Sequence, residues 1–526
     1  MISLTQETQK LAEILAEPEK RQIQPGEEVI TVSKTVSAAA VIYEAARNAV
    51  EFRAEHLIRR AAIERILKRR VLTNPPGTGI GEALVRELLW ARYLENGTVP
   101  KRLVNQVQET VNKYLVLRQE VLKGKSAKER NTISDWLLGI ASCEIEKKLV
   151  PAPHREALTS FVYQVLQRRI SLPLEKDKKT HDIQVYIATQ RGFVLSDEPI
   201  IRFHLFSSFF PEWIDLKSDE ALKTSLRFAQ TFQEIEKQLN YPLKDQLRRF
   251  VIKEVAPFNV IRDLAESNPQ EFGRIISDPK VLEERCQKIL AKRYQETGAR
   301  LRRAAIRSII YIFLTKMLLA LLLEFPFDLF LGKPNYLALT INSLFPPALM
   351  FLVTASIRLP GEENTKKVIE KIKEYVYLEQ PVKTTIEIVP PARGKILGSS
   401  FMAIYFLTYL LIFGGIIILL NKAHFNILSQ AIFLFFLSLV SFFGYRVRLL
   451  TKNYEITEKE WVLTPIVDFL FLPILRLGQW LSRELAQINI LIFIFDFVIE
   501  APFKAFFDVI EQWIHFIQTK REEITT

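Results

Sequence analysis

Lys316 is the residue whose position raises the first chemical question. It is the only charge in the fifteen residues 309–323 of GARLRRAAIRSIIYIFLTKMLLALLL, a run that otherwise reads as hydrocarbon-soluble. An ionisable group inside a membrane span is costly and marks a candidate functional position by default, for a proton, an ion or a substrate charge. The competing reading is a lysine that snorkels or pairs, and Glu324, about two helical turns further on, is the acid within reach. A second set lies near the C-terminus. INILIFIFDFVIEAPFKAFFDVIEQWIHFIQ (488–518) spaces Asp496, Glu500, Lys504, Asp508 and His515 three or four apart, a narrow polar stripe on an otherwise apolar helix. Such a stripe lines a polar path, binds a partner, or lies in the membrane interface, and the interfacial anchor is the simplest of the three. A third set is Arg300, Arg302, Arg303 and Arg307, immediately before the Lys316 run. Arginines abutting an apolar run mark the cytoplasmic mouth of a span and suit anionic lipid headgroups.

Other chemistries lack the residues they need. Pro75-Pro76-Gly77-Thr78-Gly79-Ile80-Gly81 is glycine-rich, but a phosphate loop requires a lysine and a hydroxyl residue after its last glycine, and Ile80 and Gly81 stand there instead. It reads as a turn before a helix. Six histidines (His56, His154, His181, His204, His424, His515) have no second ligand at metal spacing. The two cysteines, Cys143 and Cys286, are too far apart in sequence to suggest a zinc motif, and two thiols make no disulfide framework. No nucleophile elbow or zincin pair is present. The residues therefore point to no reaction, no cofactor and no metal, and the reading leans away from an enzyme without settling the question.

The elements that position these groups fall into two halves. The chain has 526 residues, 48% hydrophobic and 25% charged, with a net charge of +12. Its mean hydropathy is +0.09, high for so much charge, because charge concentrates before residue 298 and phenylalanine after Phe313. The expected fold class is all-α: an N-terminal soluble multi-helix domain, then a polytopic helical membrane domain with C-terminal amphipathic interfacial helices. Residues 1–30 read as a polar, partly ordered tail without a signal core. Residues 31–297 read as a cytoplasmic all-α domain. A helix from Ser33 carries Tyr43, Ala46, Val50, Ala54, Leu57 and Ala61 on one stripe. It ends in Arg59, Arg60, Arg65, Lys68, Arg69 and Arg70, taken as a solvated helix end rather than a phosphate patch. Further helices are expected over 82–94, 101–122, 134–149, 155–170, 219–239, 242–254, 259–266 and 279–297. Ser196 is the expected N-cap of another.

Residues 298–445 read as a membrane domain with four spans, about 304–324, 337–357, 401–420 and 425–443, each judged against the twenty or so apolar residues that a crossing needs. Pro346-Pro347 should kink the second. Lys333 and Lys422 are the only cations in the two loops opposite the arginines, whereas 358–395 and 446–452 are rich in Lys and Arg. That bias places both termini in the cytoplasm of a multi-pass plasma-membrane protein. Residues 446–526 read as amphipathic helices on the cytoplasmic face with a short polar tail.

The expected partners are membrane lipids, with an anionic leaflet, and a protein bound by the helical domain; specific nucleic-acid binding is not expected. The favoured function is a non-enzymatic scaffold or adaptor. The alternative is a channel or transporter whose pathway involves Lys316 and the 488–518 stripe. A membrane enzyme acting on lipid is a third class, for which no catalytic pair can be nominated.

Overall fold

The computed structural model describes residues 4–18, 27–33, 55–173, 175–330, 335–357, 359–377, 386–388, 395–448, 452–456 and 464–487. Most of the stripe expected from Ser33, and the whole 488–518 helix with Asp496, Glu500, Lys504, Asp508 and His515, lie outside the described residues. Among the described residues the fold is all-α. In chain order its helices are α1 (Gln6–Ala16), α2 (Glu55–Thr73), α3 (Ile80–Trp90), α4 (Lys101–Val121), α5 (Ala127–Leu149), α6 (Pro153–Arg169), α7 (Lys178–Thr189), α8 (Glu198–Phe209) and α9 (Leu222–Leu239). They continue as α10 (Lys244–Ser267), α11 (Phe272–Ser277), α12 (Pro279–Leu319), α13 (Phe325–Phe330), α14 (Tyr336–Ala355), α15 (Glu362–Tyr377), α16 (Lys395–Lys422), α17 (Ile427–Arg448) and α18 (Thr464–Gln487). Strand pairing is limited to two-residue ladders, Val29–Ile30 antiparallel to Val99–Pro100 and Ile170–Ser171 parallel to Ile386–Glu387.

The chain divides into two compact units. The first holds the described residues of 17–251 with 386–388, and the second those of 1–16, 252–385 and 389–489. The boundary falls inside α10, which runs unbroken through Pro257 where two separate helices were expected. Residues 6–16, part of the expected tail, form α1 and bury Leu11 and Leu15.

The first unit is built around α4 and α5. Leu103, Val107, Val111, Tyr114 and Leu117 recur at spacings of three and four on α4, and they meet Leu137, Ile140 and Ile145 of α5 in one apolar core. Trp136 on α5 anchors the other side, its ring edge-on to Phe206, Phe228 and Phe232 at 5.4–5.9 Å. α5 starts seven residues before the expected 134, because Ser126 and Glu129 close a capping box that fixes its first turn. The N-cap of α8 is Asp197, whose carboxylate accepts from the Ile200 amide, rather than Ser196, which donates to Gln190 Oε1 at 2.7 Å. The aspartate one residue later takes the capping role because its oxygen reaches the third amide of the helix.

Among the described residues, four helices of the second unit are long and apolar enough to cross a membrane: Pro279–Phe330, Tyr336–Ala355, Met402–Lys422 and Ile427–Tyr454. That composition indicates a membrane protein. α12 alone has 41 residues, about 60 Å at 1.5 Å per residue, twice the roughly 30 Å of hydrocarbon it would have to span. The expected 279–297 helix and the first span are thus one rod. Half of the most apolar window of α17 is buried, against 11% for α16, because α17 lies between α14 and α18 while α16 touches its neighbours lightly. α18 approaches α17 closely at Gly478, where a Cβ would stand 2.0 Å from the Ser438 carbonyl. Part of the C-terminal region expected to lie in the interface therefore packs along an apolar helix.

Two polar clusters hold opposite ends of the apolar helices. At one, Arg293 on α12 pairs with Asp263 at 2.7 Å, the Tyr454 hydroxyl donates to Asp263 at 2.8 Å, and Asn364 of α15 donates to Tyr294 and to the Tyr454 carbonyl. At the other, Asn335 donates to the His424 carbonyl at 2.9 Å, and Asn426 bonds Asp328. Segments that four alternating crossings would place on one side meet at each end.

Gly478→Ala should lower the thermal-unfolding midpoint of the detergent-solubilised chain, at a cost of about 1–3 kcal/mol for overpacking. Gly414→Ala, whose added methyl meets only open space, should leave it within error.

Candidate functional site

Lys316 is completely buried. Its ammonium bonds Glu324, also completely buried, and sits 5.1 Å from the centre of the Phe436 ring. In a regular α-helix, residue 324 would be about 12 Å further along and rotated by about 80° from residue 316. A π turn at Ala320–Glu324 changes that. The wider turn advances less per residue and swings Glu324 back over the lysine. Its cause is two residues beyond: Pro326 has no N–H for the Leu322 carbonyl and its ring crowds it, and a widened turn relieves both.

Asn342 on α14 completes the cluster. Its amide donates to Glu324 Oε2 at 2.8 Å and to the Ser429 carbonyl at 3.2 Å, tying α14 to the Lys316 helix and to α17. Four residues later come Pro346 and Pro347, both buried inside a continuous α14; they cannot donate to the carbonyls of Asn342 and Ser343. A charge pair, an amide and a ring thus enclose Lys316, while its helix neighbours Leu314, Leu318 and Leu321 face outward. Sequence reasoning placed Lys316 and named Glu324 as its partner, but missed Asn342. The available signal was a strongly polar residue within the 337–357 apolar run.

Arg300, Arg302, Arg303 and Arg307 are all exposed, and Arg300 reaches only Glu296, at 3.7 Å. Arg300, Arg303 and Arg307 share one helix face by spacing, open to an anionic surface. The fourth candidate set, the 488–518 stripe, is outside the described residues.

Two sequence features of the first unit are resolved in packing terms. The basic end of α2 is paired with carboxylates rather than freely solvated. Arg59 pairs with Glu146 at 2.8 Å, Arg60 with Asp197 at 2.7 Å, Lys68 with Glu64 at 3.0 Å, and both Arg69 and Arg70 with the buried Glu87. Each carboxylate draws its cation inward, which a spacing argument on one helix cannot reveal. In the glycine-rich turn, Gln108 of α4 donates to the Gly77 carbonyl and accepts from the Gly81 amide, both at 2.8 Å. A Cβ on Gly81 would lie 2.8 Å from the Gln108 backbone nitrogen. The glycines admit α4, and the groups a phosphate would need are already used.

A buried network that sequence reasoning missed joins α4, α5 and the turn after α8. Lys113 donates to Glu144 at 2.8 Å and to the Trp213 carbonyl at 2.7 Å, under the Trp213 ring. The Trp213 indole bonds Tyr114 and Glu144, and Lys148 reaches Glu144 and Thr110. Burial pulls the Lys113 ammonium below its ordinary range, against the opposing pull of Glu144, and pushes the Tyr114 phenol well up. All these partners face inward, so the network specifies packing. Among the described residues no group of three His, Cys, Asp or Glu side chains is arranged to hold a metal.

No protein-family model, curated protein or solved structure matches the chain. The class is read from fold and composition alone: an all-α protein with an N-terminal helical region and four long apolar helices in its C-terminal half.

Removing one partner of the buried pair should be worse than removing both. Lys316→Met or Glu324→Met alone should cost about 3–5 kcal/mol by stranding a buried charge, and the double substitution should recover most of that loss; unfolding midpoints of the four proteins in detergent measure it.

His204, beside Tyr186 and Phe203, has its pKa lowered to about 4, by burial first and by Lys147 and Arg155 next. The folded state therefore binds fewer protons than the unfolded state between pH 6.5 and 4. Its neutral form is stable above 6.5 and loses about 2 kcal/mol by pH 5. Thermal unfolding at pH 7 and pH 5 should show this acid loss, diminished in His204→Phe.

Proposed function

We propose that the chain is a non-enzymatic membrane scaffold or adaptor, whose N-terminal helical region recruits a protein partner and whose apolar helices anchor it. The observation that carries this reading is the enclosure of Lys316 by Glu324, Asn342 and Phe436. A pathway residue presents its charge to a cavity, whereas this one is spent within the bundle. The glycine turn and the α2 cations are likewise used internally, which leaves recognition to the surface.

The surface offers a place for a partner. A groove of about 380 Å³ runs between α9 and the α4–α5 turn. Val121, Ile133, Phe228 and Phe232 are its apolar lining, with Lys125, Lys128 and Glu129, whose carboxylate is held by Ser126, beside them. An apolar lining with cations beside it suits an amphipathic helix that carries acidic residues beside its apolar stripe. Leu226, 88% exposed on α9, extends the apolar surface beyond it.

The anchor is a four-span arrangement in the plasma membrane with both termini cytoplasmic. Supporting it are the exposed arginines at 300–307, the cation-rich segments 358–395 and 446–452, and the single lysines at 333 and 422. The clustering of Arg293, Asn364 and Tyr454 at one end, and of Asn335, His424 and Asn426 at the other, agrees with that alternation.

Two measurements on the full chain test the proposal. Proteoliposomes should conduct protons, potassium and chloride no faster than protein-free vesicles; a flux that disappears in Lys316→Ala would overturn it in favour of the channel. In native membranes, a photo-crosslinker at Gln233 should give a discrete adduct with one other protein. Phe232→Glu should weaken that capture by about tenfold or more, the effect of losing an interface hot spot. No adduct, or one indifferent to Phe232, would reject the adaptor reading.

A further inference from the structure

The turn between α4 and α5 carries a second concavity, distinct from the apolar groove. It measures about 510 Å³ and is lined by Arg118, Gln119 and Lys123 from the end of α4, and by Arg130, Asn131 and Ser134 from the start of α5. That volume is within the roughly 300–1,000 Å³ of small-molecule sites. Three cations, two amides and a hydroxyl line it, and no carboxylate does. We propose that this cleft binds a phosphate-bearing small anion.

The cations there differ from those elsewhere in the unit. On α2, Arg59, Arg60, Arg69 and Arg70 each face a carboxylate. Arg118 is half-buried, and its Nε donates to the Ser134 hydroxyl at 2.7 Å. Burial lowers its pKa with no acid opposing that effect, so the guanidinium has lost water without gaining a countercharge. Arg130 stands in the first turn of α5, at the positive end of the helix dipole, where an acid is favoured and a cation is not. The one acid in that turn, Glu129, accepts from the Ser126 amide and hydroxyl in the capping box. Lys123 meets Glu120 at 2.6 Å in an exposed pair, which holds it weakly.

The donor set matches a phosphate better than a lone carboxylate. Two guanidinium forks, an ammonium and neutral N–H and O–H donors supply more hydrogen bonds than a carboxylate's two oxygens accept, whereas a phosphate ester presents three acceptor oxygens and nearly two charges. The remaining volume accommodates the ester substituent. A lipid headgroup and a free phosphate ester share this chemistry.

Hydrogen–deuterium exchange on the full chain in nanodiscs tests the site and separates the sources. In phosphatidylcholine discs, added inorganic pyrophosphate should slow exchange across 115–135, with saturable heat in parallel calorimetry. In a second arm, discs containing phosphatidylinositol 4-phosphate and no soluble phosphate should do so if the source is a headgroup. Protection in either arm supports the site and names its source. Arg118→Gln and Arg130→Gln should each weaken the effect about tenfold, a charge-assisted hydrogen bond's worth, and the pair should abolish it. Arg227→Gln, outside the cleft, should change nothing. Unaltered exchange around Lys113 and Glu144 certifies that the variants are folded, and Arg130 is exposed enough for its variant to fold in any case. Absence of protection in both arms, or protection that survives the double substitution, overturns the proposal.

Discussion

A lysine among apolar helices imposes the main constraint on the second unit. A bare ammonium among apolar helices is so costly that the packed helices must supply it with partners. Here Glu324 reaches it through a π turn, the turn exists because Pro326 follows, and Asn342 holds the carboxylate from α14. The register of α12 against α14 and of α14 against α17 is tied to one buried cluster. Van der Waals packing sets the rest, with Gly478 bringing the α18 backbone against α17 as small residues do between membrane helices.

The first unit follows the same rule in its helical core. Lys113 and Glu144 are nearly as deeply buried as Lys316 and Glu324, and they too have further hydrogen-bond partners, Trp213 for both and Lys148 for Glu144. The arginines of α2 are drawn onto Glu146, Asp197 and Glu87. Other cations stay at the surface, among them Arg300, Arg302, Arg303 and Arg307 on α12 and Lys123 and Arg130 at the α4–α5 turn.

The proposed adaptor role requires no reactive centre. A helical core with an aromatic anchor at Trp136 presents an apolar groove beside a cationic cleft, and the apolar helices hold a buried ion pair, Lys316–Glu324, that Asn342 joins. The polar clusters around Asp263 and Asn335 lock opposite ends of those helices, so the bundle is braced where its chain segments turn.

Much of this was legible in the sequence. Helix positions followed the three-and-four spacing of Leu103, Val107, Val111, Tyr114 and Leu117, and the long apolar helices followed from uninterrupted hydrocarbon at 401–420 and 425–443, because both signals are local. The pairing of Lys316 with Glu324 was also within reach, since both lie on one helix. What sequence could not supply is what comes from another element. Asn342, Gln108 and Glu87 are ordinary residues until a second helix brings them beside Glu324, the glycine turn and the α2 arginines. The fate of a charge is settled by its neighbours in space, so the sequence determined which helices form and which are apolar, and the tertiary structure decided which charges are spent and which remain to bind.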